Sequence, residues 1–322
     1  MAVRIAACHA FPIFLSASKT TSKVVSLIQS AARNNAQLVV FPETFIPAFP
    51  VWSALRPLTE NHELFQRLVA DSVYANGDEI AAIRAAARET NTVVKVLNHH
   101  RKLMPTFFEK IIWAAGDGNG LRVSKTAHGN IGNLICSENT NPLARYTLMA
   151  QAEQIHISTW PAIWPTRALT DPRGANYDNV AANRMRAAAQ CFEAKCFGVL
   201  CAGFWTPTLI NSSRGASMFL DPTGAAHPAF VFSEDGKKEE RRFLQDEEGI
   251  LYADFELDRC IEGKQYHDVV GGYQRLEVFQ LQVNRKRAGP VAFTGEALTS
   301  EEDELQRSGS ESGIRLPYMG YM

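Results

Sequence analysis

Short apolar runs alternate with stretches of helical period along most of the chain. Residues 3–7 read as a first strand. Val24, Val25, Leu27, Ile28 and Ala31 then share one helical face, which predicts a helix over 21–34. The run LVVF at 38–41 is continuously apolar, as in a strand buried on both faces, and it ends where Pro42 removes a ladder donor. The same reading predicts helices over 79–89, 142–153 and 174–195. It predicts strands over 92–96, 130–136, 155–159, 197–202, 216–220 and 250–255. Strands alternating with helices imply one α/β domain with helices laid over the sheet faces.

Two stretches break the rhythm. EDGKKEERRFLQDEE (234–248) is dense in mixed charge and is expected to be a solvated hairpin or loop. From about residue 286 the chain is polar and aperiodic, so 1–285 is expected to be the folded domain and 286–322 a mobile tail.

Composition then narrows the function. The 322 residues carry 33 Lys and Arg against 34 Asp and Glu, a net charge of −1, which does not suit a nucleic-acid-binding surface. No apolar run is long enough to suggest a membrane span, and the start of the chain reads as a strand rather than a secretion signal. A cytoplasmic, reducing setting is expected, with the six cysteines as thiols. Cys191, Cys196 and Cys201 recur every five residues, unlike zinc ligands, and read as small buried hydrophobes. His128, His156, His227 and His267 lack ligand spacing and are taken as structural or surface residues.

Three candidates for chemistry stand at strand ends or in polar loops. Glu43 follows LVVF, Lys102 lies in HHRKLMPT, and Cys136 ends NIGNLIC before the polar loop SENTNP. A cysteine at a strand-to-helix junction lies near unpaired N–H groups that favour a thiolate. A carboxylate can take its proton, and a lysine can stabilise charge developing on a substrate. Aromatic residues nearby, Phe49, Trp52, Trp160 and Trp164, either line a substrate pocket or simply pack. Glu138 either assists the site or fixes the turn after Cys136.

VVFPETFIPAFPVW, HHRKLMPTFFEKIIWAAGDGNGLRV and GNLICSENTNPLARYTLMAQAEQIHISTWP, in that order, resemble the signature blocks of the nitrilase branch of the carbon–nitrogen hydrolase superfamily, closest in flavour to fungal arylacetonitrile nitrilases. The resemblance covers residues 3–285. It implies a four-layer α-β-β-α sandwich and a catalytic triad of Glu43, Lys102 and Cys136. It also implies a second glutamate, Glu109, that orients the lysine, and Ser137 beside the substrate. The implied substrate is a small-molecule nitrile, hydrolysed to carboxylic acid and ammonia through a cysteine thioimidate and thioester. No cofactor or metal is implied, and GDGNGL lacks the strand-to-helix setting of a dinucleotide loop. The implied assembly is a homo-oligomer, a dimer growing into a spiral or filament.

Two departures qualify these expectations. Ser137 stands where the family usually has Trp, although its backbone N–H is retained. The interval from Glu43 to Lys102, 59 residues, is short for the family and implies an internal deletion after Val96. Cyanide hydratase or amidase activity, or a catalytically impaired homologue, are the alternatives.

Overall fold

The computed structural model describes residues 2–90, 92, 98–164, 172–173, 178–205 and 213–287. In chain order the main elements are β1 (Ala2–His9), α1 (Ala17–Arg33), β2 (Leu38–Val40), α2 (His62–Ala70), α3 (Asp78–Glu89), β3 (Ser124–Thr126), β4 (Gly129–Ile135) and α4 (Pro142–Met149). There follow β5 (Ile155–Trp160), α5 (Asn179–Ala194), β6 (Phe197–Ala202), β7 (Ser217–Leu220), β8 (Phe230–Phe232), β9 (Lys238–Glu240), β10 (Phe243–Leu244) and β11 (Gly249–Glu256).

The strands form two main sheets, ordered β9-β8-β11-β1-β2 and β10-β7-β6-β5-β4-β3. Ile5 of β1 lies opposite Ala253 in the antiparallel partner and Leu38 in the parallel one. In the second sheet β4, β5 and β6 run parallel, with Thr159 opposite both Ile135 and Cys201.

Alternation along β1 decides the layering. Val3, Ile5 and Ala7 face the second sheet, whereas Ala6 packs outward with Ala31 and Tyr252. Across the interface Phe197 of β6 stacks on Phe255 of β11, with centroids 4.3 Å apart. On one outer surface Val24 and Ile28 of α1 and Ile80 and Ile83 of α3 pack with Phe45. On the other, Ala187 and Cys191 of α5 pack against Leu200, Met218 and Leu220, and Leu148 of α4 meets Leu134. Helix, sheet, sheet, helix is the four-layer order that the resemblance implies.

Several boundaries differ from the sequence reading. Helix α1 begins at Ala17, four residues early, because Asp71 accepts a hydrogen bond from Ala17 N at 2.7 Å. No local sequence signal reports an acceptor 54 residues away. Helix α4 stops at Met149 rather than 153, and Glu153 turns into the interior instead. The charged run does more than form a surface hairpin. Lys238–Glu240 pairs with β8, but Phe243–Leu244 crosses to the second sheet and buries Leu244. Helix α5 starts at Asn179, where Asp178 accepts from Val180 N and Ala181 N. The strand expected over 92–96, Thr92 apart, and the tail from 288 onward lie outside the described residues.

Parallel strands place their carboxyl ends together. β4, β5 and β6 therefore open in one direction within their sheet, as β1 and β2 do within theirs. The Cys201 thiol of β6 reaches the carbonyl of Val40 in β2 at 3.4 Å, so both sheets present these ends to one place.

Candidate active site

Each candidate side chain is delivered by a loop that leaves one of these ends or crosses over it. Glu43 follows β2 by three residues and is 5% exposed. Cys136 follows β4 directly, with φ at 50°, and begins a tight turn running to Thr140. A positive φ in a cysteine is strained and needs support. Asn139 supplies it: its side-chain NH2 donates to the carbonyls of Leu134 at 3.2 Å and Cys136 at 2.9 Å.

Lys102 sits in an irregular segment held by neighbouring backbone. Gly116 N donates to the Lys102 carbonyl at 2.8 Å. A Cβ on Gly116 would lie 2.3 Å from the Arg101 carbonyl oxygen, so this approach requires glycine. Glu109 lies in a short 3-10 turn, Phe107–Ile111, where its carboxylate also accepts from Thr106 N at 2.6 Å. That reciprocal arrangement is a capping box, and it fixes the carboxylate before any substrate arrives.

The four groups converge. Lys102 Nζ donates to Glu43 Oε1 at 2.8 Å and to both Glu109 oxygens, at 2.9 and 2.7 Å. One oxygen from each carboxylate and Cys136 Sγ lie within 4.8 Å of one another. Such a donor set could ligate a metal, but here the Lys102 ammonium supplies the cation between the two carboxylates. Glu43 Oε2 has no hydrogen-bond partner and remains available to accept a proton.

Burial controls the protonation of this group. It raises Glu43 to about 7, with Lys102 pulling down and Glu109 pushing up. Burial pushes the Cys136 thiol up, and Glu43 adds to the rise; Lys102 and the backbone N–H of Ser137 oppose it. For Lys102 burial works against the charge, but Glu43, Cys136 and Glu109 outweigh it and the ammonium is held firmly.

Beside Glu43 a small cleft of about 20 Å³ is walled by Pro12, Phe45, Phe49, Ala162, Ile163 and Trp205. Its lining is apolar apart from the Glu43 and Thr44 side chains. Phe49 walls this cleft and also packs edge-on against Phe108 and Trp113, so its position fits either sequence reading. Trp52 instead packs with Leu15, Leu68 and Ile112. Trp160 lies against Cys136, Ile135 and Ala202, and Trp164 stacks on Phe108 at 4.9 Å. The Ser137 hydroxyl is turned to Thr106 Oγ1 at 2.6 Å.

Most of the residues behind the nucleophile carry no sequence signal of their own. Asn139 Oδ1 accepts from His156 Nε2 and Ser158 Oγ, both at 2.8 Å. His156 Nδ1 meets Glu153 Oε1 at 2.9 Å, and Gln190 Nε2 donates to Glu153 Oε2. This buried chain lies behind the nucleophile turn. Gly132 makes room for it, because a Cβ there would fall 1.8 Å from Glu153 Oε1. The polar loop SENTNP hinted at Glu138 and Asn139. Nothing near 153–158 or 190 marked their partners.

The carbon–nitrogen hydrolase family model matches residues 4–97 and 94–265. The chain belongs to the carbon–nitrogen hydrolase family. This carbon–nitrogen hydrolase is 31% identical to a bromoxynil-specific nitrilase of Klebsiella pneumoniae subsp. ozaenae, over 96% of this chain and 92% of that protein. It is 29% identical to an arylacetonitrilase of Aspergillus kawachii, over 91% and 98%. In fold it is similar to a carbon–nitrogen hydrolase from Helicobacter pylori G27, with a TM-score of 0.62 at 16% identity over 86% of this chain and 97% of that one. The two matched stretches meet at residues 94–97, just before the loop of Lys102.

Proposed function

We propose that this carbon–nitrogen hydrolase hydrolyses organic nitriles to a carboxylic acid and ammonia, a reading supported by relatives named as nitrilase and arylacetonitrilase. The observation that carries the reading is the seating of Lys102 Nζ between Glu43 and Glu109 beside Cys136 Sγ. Glu43 takes the Cys136 proton, and the sulfur attacks the nitrile carbon. One π bond of the C≡N group breaks as the C–S bond forms, and the nitrogen takes the proton back from Glu43 to give a thioimidate, which leaves Glu43 ionised again. Lys102 and the Ser137 N–H stabilise the charge on nitrogen. Water then adds with Glu43 as base, and ammonia leaves from the tetrahedral carbon, giving a thioester. A second water releases the acid and restores the thiol. Glu109 positions the lysine throughout.

The apolar lining of the small cleft beside Glu43 favours an uncharged hydrocarbon neighbour to the nitrile carbon, with Phe49 as a wall and Trp160 backing the nucleophile. Homo-oligomeric assembly and a cytoplasmic setting belong to the same reading. The exposed Tyr273, Leu276, Val278 and Phe279 support the first, and six unpaired cysteines the second. An internal deletion after Val96 is also part of it, supported by the meeting of the two matched stretches at 94–97.

The test is product analysis on phenylacetonitrile. Acid and ammonia in equal amounts are expected from the native chain, and none from Cys136→Ala that remains folded. Turnover surviving in Cys136→Ala would overturn the proposal.

A further inference from the structure

Glu138 stands two residues past the nucleophile, and its buried carboxylate joins three segments. Oε2 accepts from Ile135 N, the residue before Cys136, at 2.8 Å. Oε1 accepts from Leu103 N, the residue after Lys102. His100 Nε2 lies 3.0 and 2.8 Å from the two oxygens. An ionised carboxylate only accepts, so His100 must donate from Nε2. Its Nδ1 is buried without a partner, packed where a Cβ on Gly120 would come within 2.4 Å. One carboxylate therefore satisfies a donor on each side of the nucleophile–lysine pair; none of its hydrogen bonds is with the reacting groups, and its charge acts on them only by helping to raise Glu43, an effect His100→Phe leaves in place.

We propose that Glu138, oriented by His100, is a positioning residue that sets the distance between the Lys102 ammonium and the Cys136 sulfur. The inference rests on the site reading above and deepens it. Removing Glu138 leaves the backbone donors of Ile135 and Leu103 without an acceptor, so the two loops separate. A second link, Ser137 Oγ to Thr106 Oγ1, joins the nucleophile turn to the head of the Glu109 turn. It does not tie the backbone of the Lys102 segment, which Gly116 N holds from the other side, to the nucleophile turn. Loosening that segment weakens the pull of the ammonium on the thiol, which is among the effects that favour the thiolate.

The experiment measures alkylation of Cys136 by iodoacetamide across pH, located by peptide mass spectrometry, together with kcat and KM on phenylacetonitrile. Glu138→Gln puts an NH2 group where one of the backbone donors needs an oxygen. His100→Phe keeps the ring volume and removes the orienting donor. In both variants the alkylation midpoint should move to higher pH, more in Glu138→Gln. Their kcat should fall by about tenfold to a hundredfold with KM within about twofold, as for a displaced catalytic group. A merely structural residue would lower the melting temperature and leave the alkylation profile where it was. An unmoved profile in whichever variant folds would overturn the proposal. Alkylation needs no nitrile, so a wild type without nitrile turnover would sink the functional reading while the staple is still judged by the profile.

Discussion

The side-chain NH2 of Asn139 donates to the carbonyl of Cys136 at 2.9 Å and so holds a cysteine at φ 50°. The same side chain collects the carbonyl of Leu134 and the donors of His156 and Ser158. Asn139→Ala strips the partner from all four. Buried groups left unpaired cost about 1–3 kcal/mol each, so a clear fall in melting temperature is expected together with loss of kcat. Asn139→Asp should do at least as badly, because it aims an oxygen at two carbonyl oxygens. A calorimetric scan of both variants, with turnover measured beside it, checks this. Native stability in Asn139→Ala would show that the turn is held by something else.

Among the described residues Lys102 is the cation shared by Glu43 and Glu109, in a nearly water-free place. Lys102→Met should abolish turnover and destabilise the fold, since breaking a buried ion pair from one side costs about 3–5 kcal/mol. The loss should depend on pH. Burial already raises Glu43, and Lys102 is what pulls it down, so without the lysine Glu43 rises further. A carboxyl raised in the fold favours the protonated native state, and its stability is lost as pH rises through the raised value. The melting temperature of the variant should therefore recover towards wild type between about pH 8 and about pH 5.5. A constant deficit across that range would contradict the placement of Lys102.

Glu43 works as a base only while ionised, and burial raises it to about 7. kcat/KM for nitrile hydrolysis should accordingly climb through about pH 7 and drop roughly tenfold per unit well below it. The acid limb reports the free enzyme, so it should persist at low substrate concentration. A rate that stays flat down to about pH 5 would mean that an unperturbed carboxylate, or none, takes the thiol proton.

Local patterning carried much of this protein. The two-residue alternation in β1, the continuous run ending at Phe41 and the helical spacing of Val24, Ile28 and Ala31 each report a neighbour within a few residues. Glu43, Lys102 and Cys136 stand out locally at a strand end or in a polar loop, whereas their joint role and Glu109 come from the resemblance of their short motifs to the nitrilase signature blocks. Tertiary structure alone decided what the chain cannot encode locally. Asp71 starts α1 from 54 residues away, Leu244 leaves a charged run to join the far sheet, and Trp52 turns into packing. Asn139, Glu153, His156 and Gln190 become one buried chain only when β5 and α5 close behind the nucleophile. Hydrogen bonds between buried polar groups act over about 3 Å, whatever their separation in sequence, so periodicity and spacing carry no trace of them.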